Sequence, residues 1–295
     1  LKFTRIMFFL VLASAAAVYA RTTQLLFLTE EKTGFFMHDG KTGAVALSVF
    51  IVLVIVSCAV MTLFTRRNPS GPPDDSICPR IGAAALAVAA LYEAFFVKYI
   101  SDASIIILLT RISAVFAAFS LLLYILRYFI PALSKISKMV YLPVLVFFML
   151  KLVLTFTVYS TVSVIADNIF HIAFLCVSLM FMLCWLKLEN GIRPGRSAYR
   201  LFPLGTITFI VAACCVIPAI VVSVMGRTSL LHSDPNSLVF PAATAIFALL
   251  YVLSLYSKKN IVRRKRNTPK LESNTSYHEM SGQFVSGSGK RRRKR

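Results

Sequence analysis

Two stretches of this sequence, Ala44–Phe64 and Leu201–Met225, run for more than twenty residues with almost no polar side chain. That feature limits the fold more than any other. A hydrocarbon core is crossed by roughly 20 apolar residues in a helix, or by about ten alternating residues in a barrel strand. Unbroken runs of this length fit only the helix. Inside a bilayer every backbone N–H and C=O must be satisfied within the segment, which a helix does by itself.

Composition agrees. The chain has 295 residues, of which 58% are hydrophobic and only 15% charged. A soluble domain carries about 25% charged residues. The pattern predicts an all-α, polytopic transmembrane helix bundle of about eight spans. They are Ile6–Leu28, Gly43–Phe64, Ile81–Val97, Ala103–Leu126, Met139–Tyr159, Ile165–Leu186, Leu201–Val224 and Leu238–Tyr256. Breakers such as Asn68-Pro69-Ser70-Gly71-Pro72-Pro73, Gly191–Gly195 and Ser233–Asn236 separate them. Pro218 lies deepest within a run and is the expected kink. Residues 1–257 are thus read as the membrane bundle, and 258–295 as a disordered basic tail ending Lys290-Arg291-Arg292-Arg293-Lys294-Arg295.

The formal charge of +20 is laid out as a topology signal, not as a nucleic-acid footprint. With the N-terminus inside, the inner segments ahead of the tail hold twelve basic residues, Arg80, Arg127 and Arg196 among them. The outer segments hold Lys32, Lys41, Lys98 and Arg227. This predicts a multi-pass protein of the cell membrane with both termini cytoplasmic. The tail is expected to be drawn to anionic inner-leaflet lipid. Tyr277 and Phe284 are its only aromatic residues, too few for base stacking. One alternative is that Lys2, Arg5, the first apolar run and Val18-Tyr19-Ala20 form a cleavable secretory signal, leaving seven spans. The apolar stretch Leu25–Leu28 favours a retained helix.

Charges within spans are costly and mark functional candidates. Arg21, Glu93, Arg111 and Lys151 each fall roughly 10–12 Å below the outer ends of their helices at 1.5 Å per residue. Asp167 and His171 open the sixth span, one turn apart on one face. Together these six residues are the candidate substrate-binding layer. Its positive excess suits an anionic small molecule or a lipid headgroup. The structural reading of the same residues pairs Glu93 with Arg111 across neighbouring helices, while Arg21 and Lys151 snorkel to the interface.

No P-loop, HExxH, GxSxG or dinucleotide fingerprint occurs, so the chain is not expected to be one of the common soluble enzymes. Asp167 and His171 lack a third ligand for a metal, and no cofactor is implied. Six cysteines lie in apolar runs or in the loop at Cys78, where no disulfide is expected. Three functions from different classes remain: binding or transport of a small or amphiphilic anion, a non-catalytic scaffold or sensory subunit acting through its tail, and, ranked last, an intramembrane enzyme acting on lipid with Glu93, Asp167 and His171 as acid/base groups.

Overall fold

A computed structural model describes residues 3–30, 36–37, 40–63, 72, 76–97, 104–130, 132–133, 136–160, 166–192, 194–227 and 238–255. The tail and the breaker at Ser233–Asn236 lie outside the described residues. Among the described residues eight α-helices follow one another: α1 (Phe3–Leu28), α2 (Lys41–Leu63), α3 (Cys78–Phe95), α4 (Ser104–Phe129), α5 (Leu142–Ser160), α6 (Ala166–Glu189), α7 (Pro194–Val224) and α8 (Val239–Leu255). Seven are long and apolar enough to cross a membrane. α8, with 17 residues, sits at the lower limit for a span.

The helices from α3 to α8 each pack on the next, and α8 packs back on α3, closing a six-helix ring. The hairpin of α1 and α2 leans on α7 from outside that ring. α1 is a working member of the fold, with Ala17, Ala20, Arg21 and Leu25 all buried. α2 buries least of the seven long spans. Its Val45, Val49, Val52, Leu53 and Val56 are exposed, a surface that suits lipid and not water.

Ring closure depends on small residues. Without a hydrophobic drive between helices in lipid, contact comes from close van der Waals approach, which small side chains allow. α3 buries Gly82, Ala83, Ala87, Ala90 and Ala94. A Cβ on Gly82 would come within 2.8 Å of the Phe247 Cα on α8, so glycine is what lets these backbones touch. Inside the ring, aromatic side chains meet from opposite walls. Phe147 and Phe148 of α5 reach Phe240 of α8 at 5.3 and 5.0 Å between centroids. Phe181 and Trp185 of α6 pack on Phe247 of α8 at 6.0 and 5.7 Å. The interior is a packed aromatic column.

Helix ends differ from the sequence expectation in ways that have causes. α7 starts at Pro194, seven residues before Leu201. Proline is favoured in the first turn of a helix, and Gly191, at φ 72°, takes the left-handed conformation that ends α6. The polar first turns of α7, with Arg196 and Arg200, lie outside any apolar run and so escaped a hydropathy criterion. α3 starts at Cys78, with Pro79 in its first turn. This places Arg80 on a helix, not in the loop to which the charge pattern assigned it. α7 remains one helix across both Pro203 and Pro218.

Candidate functional site

Glu93 lies in the last turn of α3 and is 2% exposed; Lys151 lies midway along α5 and is 4% exposed. The Lys151 ammonium donates to the Glu93 carboxylate in a direct ion pair. The expected Glu93–Arg111 pairing is therefore not formed. Arg111 instead points its Nη2 at the Val97 carbonyl, 3.1 Å away, at the frayed end of α3. A helix C-terminus carries partial negative charge and orphan carbonyls, so an arginine is well placed there. Val97 follows Glu93 by one turn, about 6 Å along the axis. The buried Nε of Arg111 has no acceptor.

Arg21 and Lys151 do not snorkel. Arg21 is 1% exposed, among the most buried large side chains. Its guanidinium donates to Gln24 one turn later and lies 4.3 Å from the ring centroid of Phe170 on α6. Gln24 in turn donates to the Ala44 carbonyl and the Ser48 hydroxyl on α2, each at 2.8 Å. Sequence reasoning passed over Gln24 and Ser48, since uncharged polar residues cost far less in a span. The signal was available: Gln24 stands three residues from Arg21, hence on the same face.

The six candidates are therefore not shown as one cluster. Glu93, Lys151 and Arg111 gather at the α3–α4–α5 side, while Arg21 belongs to the α1–α2–α6 corner. His171 follows Phe170 on α6, stacks obliquely near Phe174 at 5.9 Å, and lies within electrostatic reach of Lys151. Asp167 is in the first turn of α6, but its side chain is outside the described residues.

The opposite end of the ring holds a second buried charge cluster, which sequence reasoning missed. Glu189, in the last turn of α6, is 3% exposed. Its Oε1 accepts from the Tyr251 hydroxyl of α8 at 2.9 Å and from the Tyr124 hydroxyl of α4 at 3.5 Å. Arg80 of α3 donates to the same Tyr124 oxygen and lies 4.3 Å over its ring. Trp185, one turn before Glu189, packs edge-on against Tyr124 at 5.5 Å, and its buried Nε1 has no acceptor. Arg127 donates to the Tyr141 hydroxyl at 3.4 Å at the rim. Charges near span ends read in sequence as loop residues. Their convergence is visible only once the ring is closed.

All six cysteines are free thiols. Among the described residues no three His, Cys, Asp or Glu side chains come together as a metal site. The class that fold and burial define is a multi-pass α-helical membrane protein. No family model matches the sequence, and no curated protein or solved structure is detectably similar to it.

Proposed function

We propose that the protein binds, and carries across the membrane, a small or amphiphilic anion through the Glu93 end of the ring, with Arg111 as the first contact. The observation that supports this is the Arg111 guanidinium. It is a fork of five donors, half-buried, with one donor on Val97 and a buried Nε that has no acceptor. A carboxylate or phosphate matches such a fork in shape and charge. Lys151 lies deeper in the ring and is occupied by Glu93. An anion passing inward from Arg111 competes with that carboxylate for the lysine, so the pair acts as the barrier that the substrate must exchange with. The aromatic column beneath it closes the path, as expected of an occluded resting state. The charge pattern assigns the Glu93 end to the outside and both termini to the cytoplasm.

Native mass spectrometry of the protein extracted from its own membrane tests this reading. The expected result is a defined anionic adduct that Arg111→Gln removes while thermal stability stays within a few degrees of wild type. Retention of the same adduct by Arg111→Gln overturns the proposal.

A second reading, a scaffold that works through its basic tail, draws support from the same filled interior, since a packed column suits a structural role. Crosslinking before and after deletion of residues 258–295 separates the two. A partner lost with the tail, together with no anion adduct on the bundle, favours the scaffold.

A further inference from the structure

Arg111 stands about 10 Å into α4, counted from the start of the helix at Ser104. A charge at that depth meets the ring interior, a watery vestibule or lipid, and the exposure of its neighbours decides which. On a helix, residues three, four and eleven places away share a face. Leu108, Val115 and Leu122 hold those places around Arg111, and all three are exposed. On the other side of Arg111, Ala114, Ala117 and Leu121 are buried. Arg111 is therefore on the border of the arc that α4 turns out of the ring, and it is half-buried for that reason.

Its bond to the Val97 carbonyl fixes which border this is: the one against α3. α3 turns out only a narrow stripe, which includes Val88, Leu91 and Phe95, between the buried Ala87, Ala90 and Ala94. Arg111 meets Val97 while Arg80 meets Tyr124, so the two helices run in opposite directions. Measured from Arg111, Val115 and Leu122 thus lie about 6 and 17 Å along the seam, and Leu91 and Val88 about 9 and 14 Å along it. Outward of Arg111 the surface is no more polar, since Leu108 on α4 and Phe96 beside Val97 are exposed there. Such a surface belongs to hydrocarbon and not to a watery vestibule. The guanidinium is met from the membrane, by a molecule whose own hydrocarbon can stay there.

Resting on the reading of Arg111 as the first contact, we infer that its ligand is an amphiphilic anion of the surrounding leaflet, with its phosphate or carboxylate on Arg111 and its hydrocarbon chain laid along the α3–α4 seam. The head supplies the charge and the paired acceptors that a guanidinium fork takes. The chain needs only van der Waals contact, which is what the seam offers in lipid. A water-soluble anion of the same charge has no watery route to this guanidinium. Entry is then sideways exchange with the bilayer, and the substrate class narrows from any small anion to an amphiphile.

The test uses the full chain in nanodiscs of phosphatidylcholine, with hexadecyl phosphate and inorganic phosphate as probes. Native mass spectrometry counts the first, tightest equivalent. Hexadecyl phosphate is expected to bind, and a millimolar excess of inorganic phosphate is expected not to displace it. Arg111→Gln is expected to weaken that binding by roughly tenfold or more, the worth of a lost hydrogen bond to a charged group. Val88→Trp and Val115→Trp each lay a ring across the seam from an exposed position. Each is expected to cost a similar factor, roughly tenfold, because a chain kept out of the seam holds its head off Arg111. The two stand on different helices, so one serves should the other fail to fold. Displacement by inorganic phosphate, or binding unchanged in either folded tryptophan variant, overturns the inference and leaves an anion site at Arg111 standing. Wild type that binds neither probe, or Arg111→Gln that binds as wild type does, overturns the site itself and the inference with it.

Discussion

Glu93 and Glu189 are two buried carboxylates at opposite ends of one ring, and the structure treats them differently. Arg80, the anchor of the Glu189 cluster, and Glu93 sit on the same helix thirteen residues apart, about 20 Å. Glu93 meets a lysine, a point charge on a flexible stem. Glu189 meets two phenols from different helices, and the cation associated with it is an arginine laid flat on a tyrosine ring. A lysine pair is easily exchanged for another partner. A carboxylate that holds α4 and α8 to α6 by directional hydrogen bonds is not. On the proposed function, exchange belongs to the Glu93 end and fixation to the Glu189 end.

The sharpest way to break that contrast is at Glu189. Glu189→Ala removes the acceptor on which Tyr124 and Tyr251 converge and leaves Arg80 buried beside them. Removing one partner of a buried charge network costs about 3–5 kcal/mol. Reversible unfolding in mixed micelles should show a loss of that order, the largest of this series. A loss below 1 kcal/mol would mean that the cluster holds nothing together.

Next comes the pair at the other end. Lys151→Met and Glu93→Gln should each destabilise by about 3 kcal/mol, because each strands the opposite charge. The double variant should recover most of the loss, since two neutral side chains need no compensation. A double variant as unstable as the sum of the two singles would show that Glu93 and Lys151 are not coupled. No such recovery is expected at the Glu189 end, where Glu189→Ala with Arg80→Met still leaves the tyrosines without their acceptor.

A smaller effect is expected at the ring closure. Gly82→Ala presses a methyl group against the Phe247 backbone, and overpacking of this kind costs about 1–3 kcal/mol. The smallest effect belongs to Arg111→Gln. Loss of a favourable charge at the end of α3 costs about 0.3–1 kcal/mol, although binding of an anion should be lost altogether. Thermal unfolding set beside adduct detection reads both.

The sequence disclosed the spans well, because hydrophobic length is a local property. It disclosed the costly residues too: Arg21, Glu93, Arg111 and Lys151 were all visible as charges inside apolar runs. What it could not disclose was partnership. Glu93 was expected to meet Arg111 because α3 and α4 are consecutive, but the last turn of α3 draws Arg111 to its carbonyls and leaves the ring interior to the longer reach from α5. The closure of α8 onto α3 is a contact between segments far apart in the chain, and no periodicity reports it. For that reason Arg80 and Glu189, each at the edge of a span, read as ordinary loop charges.

The closed ring also sets an order of assembly. Consecutive helices can pair as they emerge, but α3 waits for α8 before the ring closes, and α1 with α2 wait for α7 before the hairpin docks. At 5–20 residues per second, the interval between the end of α2 and the start of α7 is on the order of 10 s. For most of it, until α6 emerges, the hairpin has Arg21 on Gln24 and lacks Phe170. A nascent chain that stalls before α8 would leave the Gly82 face of α3 bare in the bilayer, a surface that membrane quality control can read as unfinished.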